Sequence, residues 1–188
     1  MRHTLLITLA LLLTACGGVP DTYHSLRPDI STTPTRQGTP TAIRYTELPP
    51  YYENEYLTYY DGAGRITRDK SHHWIYPFQD NLRDVLRQQL ADVTGNSRIY
   101  TYPLGENNRP DILIDLQIRE LIADVQAKQY RLSAQWQNTR RDGDKPDNHD
   151  HEYRRLIPLT ATDPDSLVAA TATAVQQLAR AIAASLPQ

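Results

Sequence analysis

The chain has 188 residues, which is long enough for one domain with a substantial hydrophobic core. Its 20 basic and 22 acidic residues give a formal net charge of −2 at pH 7. This near-neutral balance argues against a nucleic-acid partner.

The first residues have the pattern of a bacterial secretion signal. Arg2 supplies a positive charge, and residues 5–13 form a short apolar run. That run is far shorter than the roughly 20 apolar residues that a helix needs to span a bilayer. We therefore predict that residues 1–15 are a signal peptide.

A lipobox ends this segment. Leu13, Thr14, Ala15 and Cys16 combine an aliphatic residue, two small residues and a cysteine, the pattern that signal peptidase II cleaves. Cys16 is the only cysteine of the chain, and an unpaired thiol is otherwise a liability in an oxidising compartment. We predict that Cys16 carries diacylglycerol and an N-acyl chain such as palmitate. The alternative is an ordinary signal peptide with a chance cysteine.

The residue after the cysteine bears on the choice of membrane. Gly17 stands where an aspartate would favour inner-membrane retention in enteric-type bacteria. The expected location is therefore the periplasmic side of the outer membrane, in its inner leaflet, if the source is Gram-negative. Several acyl chains give stable anchoring, whereas one chain alone binds only marginally. We expect residues 16–20 to be a lipidated tether and residues 21–188 to be a single domain.

The tether leads into two predicted strands with a long loop between them. Residues 23–26 indicate a first strand, and residues 27–41 are rich in Pro, Thr, Ser and Gly without periodicity, which favours an exposed loop. A second strand is predicted over residues 42–48.

The middle of the chain combines a predicted hairpin with an amphipathic helix. Residues 55–60 are aromatic and β-branched, residues 61–64 supply turn glycines, and residues 65–70 return as the second arm. Pro77 marks a helix start and Gly95 its end. One face of this helix carries the apolar residues Phe78, Leu82, Val85, Leu86, Leu90 and Val93.

The next segment predicts an antiparallel set of strands. Residues 98–102 alternate as a strand, and the clearest alternation in the chain follows at Ile112, Ile114, Leu116 and Ile118. Residues 125–137 suit its hairpin partner if a bulge near residues 128–129 reconciles the two parities. Residues 138–150 are polar and predict a solvated hairpin tip, and residues 153–159 predict the last strand.

A second helix closes the chain. Asp163 followed by Pro164 is a strong helix start. Its apolar stripe consists of Leu167, Val168, Ala174, Val175, Leu178, Ile182 and Leu186. The order of elements predicts an α/β fold, a single layered domain with a mixed β-sheet and two main helices packed on it.

Several of these segments resemble the PqiC/YmbA family of ABC-type transport auxiliary lipoproteins. The resemblance lies in Leu48-Pro49, in the strand residues 56–60, and in Trp74-Ile75-Tyr76-Pro77-Phe78 followed by Leu82, Leu86 and Leu90. It implies a fold similar to the TolB N-terminal domain, of the anticodon-binding-like type. It also implies an MCE-domain protein and an inner-membrane permease as partners, in transport of a lipid between membranes. Self-association into a homo-oligomeric ring is a further expectation from the family.

The sequence lacks the common catalytic motifs. There is no phosphate-binding loop, no Gly-x-Ser-x-Gly elbow and no Cys-His pair if Cys16 bears lipid. His72 and His73 would face opposite ways on a strand. His149 and His151 would share a face near carboxylates, but local structure fixes no third metal ligand. We predict that the chain is not an enzyme and has no catalytic residue, cofactor or metal.

Tyrosine is abundant, with 12 Tyr against one Phe, which indicates either a protein-contact surface or a half-exposed sheet face. Tyr51 and Tyr52 lie in a Pro-containing loop and are the predicted partner contacts, since loops expose side chains. The leading hypothesis is a non-enzymatic accessory subunit of an MCE-type lipid transport system. The alternative is an outer-membrane-tethered activator or scaffold of a periplasmic cell-envelope enzyme, with a metal-dependent enzyme as a third idea.

Overall fold

The computed structural model describes residues 20–62, 64–106, 108–141 and 146–187, so the predicted signal peptide and the predicted lipobox with Cys16 lie outside the described residues. One mixed sheet and two helices make up the domain, which confirms the predicted fold class. The elements are β1 (Thr22–His24), β2 (Thr41–Glu47), β3 (Tyr56–Tyr60), β4 (Ile66–Trp74), α1 (Phe78–Thr94), β5 (Ile99–Thr101), β6 (Ile112–Asp124), β7 (Gln129–Arg140), β8 (Asp147–Pro158) and α2 (Pro164–Ser185).

The long strand β6 organises the sheet. One edge of β6 pairs with antiparallel β7 along its whole length, and β7 pairs in turn with antiparallel β8. The other edge is divided between two parallel strands. β2 pairs with the first half of β6 and carries β5, whereas β3 pairs with Ala123 and Asp124 and carries β4 and β1. The sheet therefore has two arms that diverge from a common strand.

Both helices cover one face of the sheet and form the core with it. The buried residues of α1 are Phe78, Leu82, Val85, Leu86, Gln89, Leu90 and Ala91. Those of α2 are Leu167, Thr171, Ala174, Val175, Leu178, Ala179 and Ile182. The predicted apolar stripes are thus confirmed in the main, but Val93 at the end of α1 is 43% exposed. By length and composition α2 could cross a membrane, yet these buried side chains make it a core helix of the domain.

The predicted helix signals act largely as expected. Asp163 caps α2, since its carboxylate accepts a hydrogen bond from the Ser166 amide at 3.0 Å. Gly95 ends α1 in the left-handed conformation with φ of 66°, which glycine adopts without steric strain. Pro77 occupies the cap position of α1, one residue before the helix begins.

The hairpin boundaries differ from the sequence prediction. The register shift lies between Ile118 and Glu120 in β6, and residues 125–128 form the turn, so the bulge predicted near residues 128–129 was wrong. The predicted polar tip at residues 138–150 was too long, because β7 runs to Arg140 and β8 begins at Asp147. Continuous pairing with β7 extends β8 despite the low strand propensity of its polar residues.

Candidate anchoring and docking surfaces

The segment that follows β1 is held to the domain by the side chains of α1. Leu26 is buried, and the side chain of Asn81 holds both of its backbone polar groups. The Asn81 amide oxygen accepts from the Leu26 N–H at 2.8 Å, and its amide nitrogen donates to the Leu26 carbonyl at 3.2 Å. Further along, Asp92 accepts from the N–H groups of Ser31 and Thr32 at 3.2 and 2.7 Å. The start of the domain is therefore clipped to α1 at two successive points.

Asn81 was not predicted from the sequence. The sequence offered one indication of its role, since Asn81 lies next to the first apolar residues of α1. A polar side chain near a buried face needs a hydrogen-bond partner. The partner proves to be the backbone of Leu26, 55 positions earlier in the chain.

The inner side of β1 carries a pair of histidines. His24 Nε2 lies 2.9 Å from His72 Nδ1, and the His24 ring meets Trp74 edge-on. Burial lowers the pKa of His24, and the nearby His72 lowers it further, while Asp165 acts in the opposite direction. A neutral His24 suits this contact, since one ring nitrogen must donate and the other accept.

The outer side of the same corner carries an aromatic stack. His73 is buried between the rings of Tyr23 and Tyr56, each with its centroid 5.2 Å away. Asp21 lies 3.4 Å from His73 Nε2, and Arg68 lies over the Tyr56 ring at 6.0 Å. His72 and His73 thus face opposite sides of β4, as predicted from their adjacency.

The histidines of β8 are held by separate partners. His149 Nε2 lies 3.0 Å from Asp147, whereas the His151 ring stacks on Trp136 at 5.4 Å. Both line a small cavity of about 230 Å³, next to Asn138 and the end of α2. Within residues 20–62, 64–106, 108–141 and 146–187, no group of three or more His, Cys, Asp or Glu is placed to hold a metal ion.

The predicted contact residues Tyr51 and Tyr52 lie in a short 3-10 turn, and the expectation that this loop exposes both rings was wrong. Tyr52 is buried, stacks on Phe78 at 4.4 Å and donates its hydroxyl to the Leu121 carbonyl at 2.6 Å. Tyr51 is half-buried, and its hydroxyl accepts from the Leu121 N–H at 3.2 Å. Both phenols therefore satisfy the backbone of β6 at its register shift, and burial raises the pKa of each.

The strand β8 presents a long outer edge, since it pairs only with β7 among the described strands. Its first half carries Asp147, Asp150 and Glu152, and its second half carries Arg154 and Arg155. Leu156 adds an exposed apolar side chain. The free outer edge of a strand this long is a template for strand addition, which makes it a candidate docking surface.

A cleft lies between the ends of the two helices. It has a volume of about 430 Å³ and is lined by residues from the loop before β2, from the end of α1 and from the end of α2. Arg36 and Arg180 contribute the charges of this cleft, and Val93 and Leu186 contribute apolar surface.

A single layered α/β domain, with one mixed sheet and two helices on one face, is the class that this fold defines. The chain belongs to the family of ABC-type transport auxiliary lipoprotein components, whose profile matches residues 24–183. This match confirms the resemblance that the sequence motifs indicated. The accessory, envelope-anchored role carried by the family description therefore applies to this chain at that general level.

Solved structures support the same fold. The crystal structure of an uncharacterised protein aligns with a TM-score of 0.71 at 13% identity, covering 89% of this chain and 99% of that one. Protein XCC0632 from Xanthomonas campestris, of family DUF330, aligns with a TM-score of 0.68 at 14% identity, covering 86% of this chain and 92% of that one. At these identities the likeness concerns the fold alone. No curated protein matches the chain by sequence.

Proposed function

We propose that the chain is an outer-membrane lipoprotein that faces the periplasm and acts as a non-enzymatic accessory subunit of an MCE-type lipid transport system. The observation that carries this proposal is the family match over residues 24–183, together with the predicted lipobox at residues 13–16 a few residues before it. Diacylglycerol and an N-acyl chain on Cys16 hold the protein in the inner leaflet. Residues 1–15 are removed and residues 21–188 form the working domain.

The short tether keeps the domain at the membrane. From Cys16 to Thr22 the chain reaches at most about 20 Å when fully extended. Beyond that point Leu26 is already fixed to α1 through Asn81. A domain held this close to the outer membrane is well placed to receive an MCE-domain protein that extends from the inner membrane.

The domain would contact an MCE-domain protein and, through it, an inner-membrane permease. The β8 edge is the surface best suited to this contact, because an extended segment of the MCE-domain protein could add to the sheet there. The same edge suits self-association into a homo-oligomeric ring. Leu156 is 56% exposed, so Leu156→Asp should leave the fold intact. The substitution should reduce crosslinking to the MCE-domain protein and should reduce the mass of the assembly measured under native conditions.

Membrane placement is tested with two substitutions in the tether. Cys16→Ser should abolish acylation, and Gly17→Asp should move the acylated protein from outer-membrane to inner-membrane fractions on a density gradient. Mass spectrometry of the amino-terminal peptide reads the modification directly. An unacylated wild-type terminus would contradict the proposal.

Partner choice is tested by crosslinking in intact envelopes. Recovery of an MCE-domain protein with the wild-type chain, lost with Leu156→Asp, is the expected result. Recovery of a cell-wall synthase in its place would favour the alternative function as a tethered activator. Genes for an MCE protein and a permease beside this one would favour transport.

A further inference from the structure

Three large side chains remain exposed where the tether meets the domain. Tyr23 is 58% exposed, Ile75 is 49% exposed and Tyr76 is 61% exposed. Tyr23 and Ile75 are neighbours in the fold, because Tyr23 pairs in register with His73 and the Ile75 N–H donates to the His24 carbonyl at 2.8 Å, and Tyr76 follows Ile75 in the chain. We call Tyr23, Ile75 and Tyr76 the anchor-side patch.

The anchor-side patch rests on a rigid base. The Tyr23 ring stacks on His73 with an interplanar angle of 27°, and His73 is only 5% exposed. Trp74, which directly precedes Ile75, is fully buried and packs against Phe78 with ring centroids 4.7 Å apart. The Tyr23 ring, which His73 already holds in place, therefore loses little conformational entropy on contact with a second surface.

The chemistry of the patch fits the interfacial region of a bilayer. Tyrosine has an apolar ring and a polar tip, and it is enriched where membrane proteins cross the headgroup region. Ile75 supplies an apolar side chain that gains from leaving water. The charges in contact with the aromatic stack are of both signs, Asp21 and Arg68, so attraction to anionic lipid is not its main source of binding.

The length of chain before β1 identifies the occupant. Only residues 17–21 separate Cys16 from Thr22, so a lipid on Cys16 brings the bilayer within about 20 Å of Thr22, which directly precedes Tyr23 of the patch. We propose that the anchor-side patch lies against the membrane surface, with its three side chains in the headgroup region. This inference rests on the proposed lipidation of Cys16. It adds an orientation that the anchor alone does not fix.

The orientation has a consequence for docking. β1 and β8 are at opposite ends of the strand order β1-β4-β3-β6-β7-β8. The five strand spacings between them amount to at most about 24 Å along the sheet. Contact of the patch with the membrane therefore leaves the β8 edge, at the other end of this strand order, accessible to a periplasmic partner.

The test uses the full acylated protein in vesicles of phosphatidylethanolamine and phosphatidylglycerol that contain a brominated phospholipid. Tyr76→Trp places a fluorophore in the patch, and Tyr45→Trp is the matched control, since Tyr45 is 56% exposed on β2 in the other arm. The emission that each variant adds to that of the wild type is compared. We expect bromine to quench the Tyr76→Trp signal severalfold more than the Tyr45→Trp signal, with little change between low and high salt.

Equal quenching of the two variants, or none in either, would overturn the proposal. Loss of the difference at high salt would also overturn it, because the contact would then be electrostatic. Mass spectrometry of the same vesicles separates this result from the proposed function. An acylated Cys16 with no quenching of Tyr76→Trp rejects the patch alone, whereas an unacylated terminus rejects the anchor.

Discussion

At the scale of single residues, the tyrosines show where sequence reasoning reached its limit. The Tyr52 hydroxyl bonds to Leu121 deep in the core, and Tyr130 is also buried. Composition indicates many tyrosines but does not indicate which of them find a buried hydrogen-bond partner. For Tyr51 and Tyr52 that depends on the register shift in β6, which exposes the Leu121 backbone to their two hydroxyls.

The buried phenols predict a loss of stability in alkali. Burial raises the pKa of Tyr51, Tyr52 and Tyr130 above the ordinary value, whereas the unfolded chain releases these protons near pH 10. Their contribution to stability is fully present below about pH 10 and is lost as the pH rises further, by up to about 1.4 kcal/mol per pH unit for each group. Urea denaturation measured from pH 8 to 11 checks this. A free energy of unfolding that stays constant to pH 11 would contradict it, and Tyr52→Phe should reduce the slope.

Leu86 tests the assignment of the buried face of α1. It is fully buried, so Leu86→Asp would place an unpaired charge in the core at a cost on the order of several kcal/mol. We expect the domain to unfold, as measured by far-UV circular dichroism and thermal melting. Val93→Asp is the control on the same helix, because its exposed position predicts a change below about 1 kcal/mol. An unchanged melt for Leu86→Asp would show that another face is buried.

At the scale of elements, periodic segments were predicted well and polar ones poorly. The alternation at Ile112, Ile114, Leu116 and Ile118 and the apolar stripes of both helices reflect burial on one face, and burial leaves a clear period in a sequence. The first half of β8 is a strand only because β7 lies beside it, a long-range cause without a local signal. For the same reason the anchor-side patch could not be predicted, since it joins Tyr23 to Ile75 across a strand pair.

The clip between α1 and the N-terminal strand gives a prediction at this scale. Asn81→Ala removes both hydrogen bonds to Leu26. If the local free energy of opening falls by about 1.4 kcal/mol, amide hydrogen exchange becomes roughly tenfold faster. We expect faster amide hydrogen exchange over residues 22–26 with α1 unchanged. Asn81→Asp keeps the acceptor for the Leu26 N–H and should show an intermediate effect. Equal exchange in all three proteins would mean that the clip does not hold β1.

At the scale of the whole molecule, the two arms of the sheet share β6 and one core. Trp74 reports on the arm that contains β4, and Trp136 reports on β7. Trp136→Phe leaves the first reporter and Trp74→Phe leaves the second. Within each variant, the fluorescence and circular dichroism transitions in urea should coincide, as two-state unfolding requires. Separate midpoints within one variant would show that the part around its remaining tryptophan, the β4 arm for Trp74 or β7 for Trp136, unfolds independently.

The two clips along α1 also decide how the protein responds to mechanical load. A pull on the lipidated end would enter through the three residues of β1 and reach the Leu26–Asn81 bonds first, and the bonds of Ser31 and Thr32 to Asp92 would bear it next. Release of β1 and of the Leu26–Asn81 clip would lengthen the tether by up to about 30 Å, at about 3.3–3.6 Å per extended residue over residues 22–31, while β2–β8 and both helices stay folded. Leu26 is the one core side chain that leaves its place in this step, so a complex under load would gain length before the helices separate from the sheet.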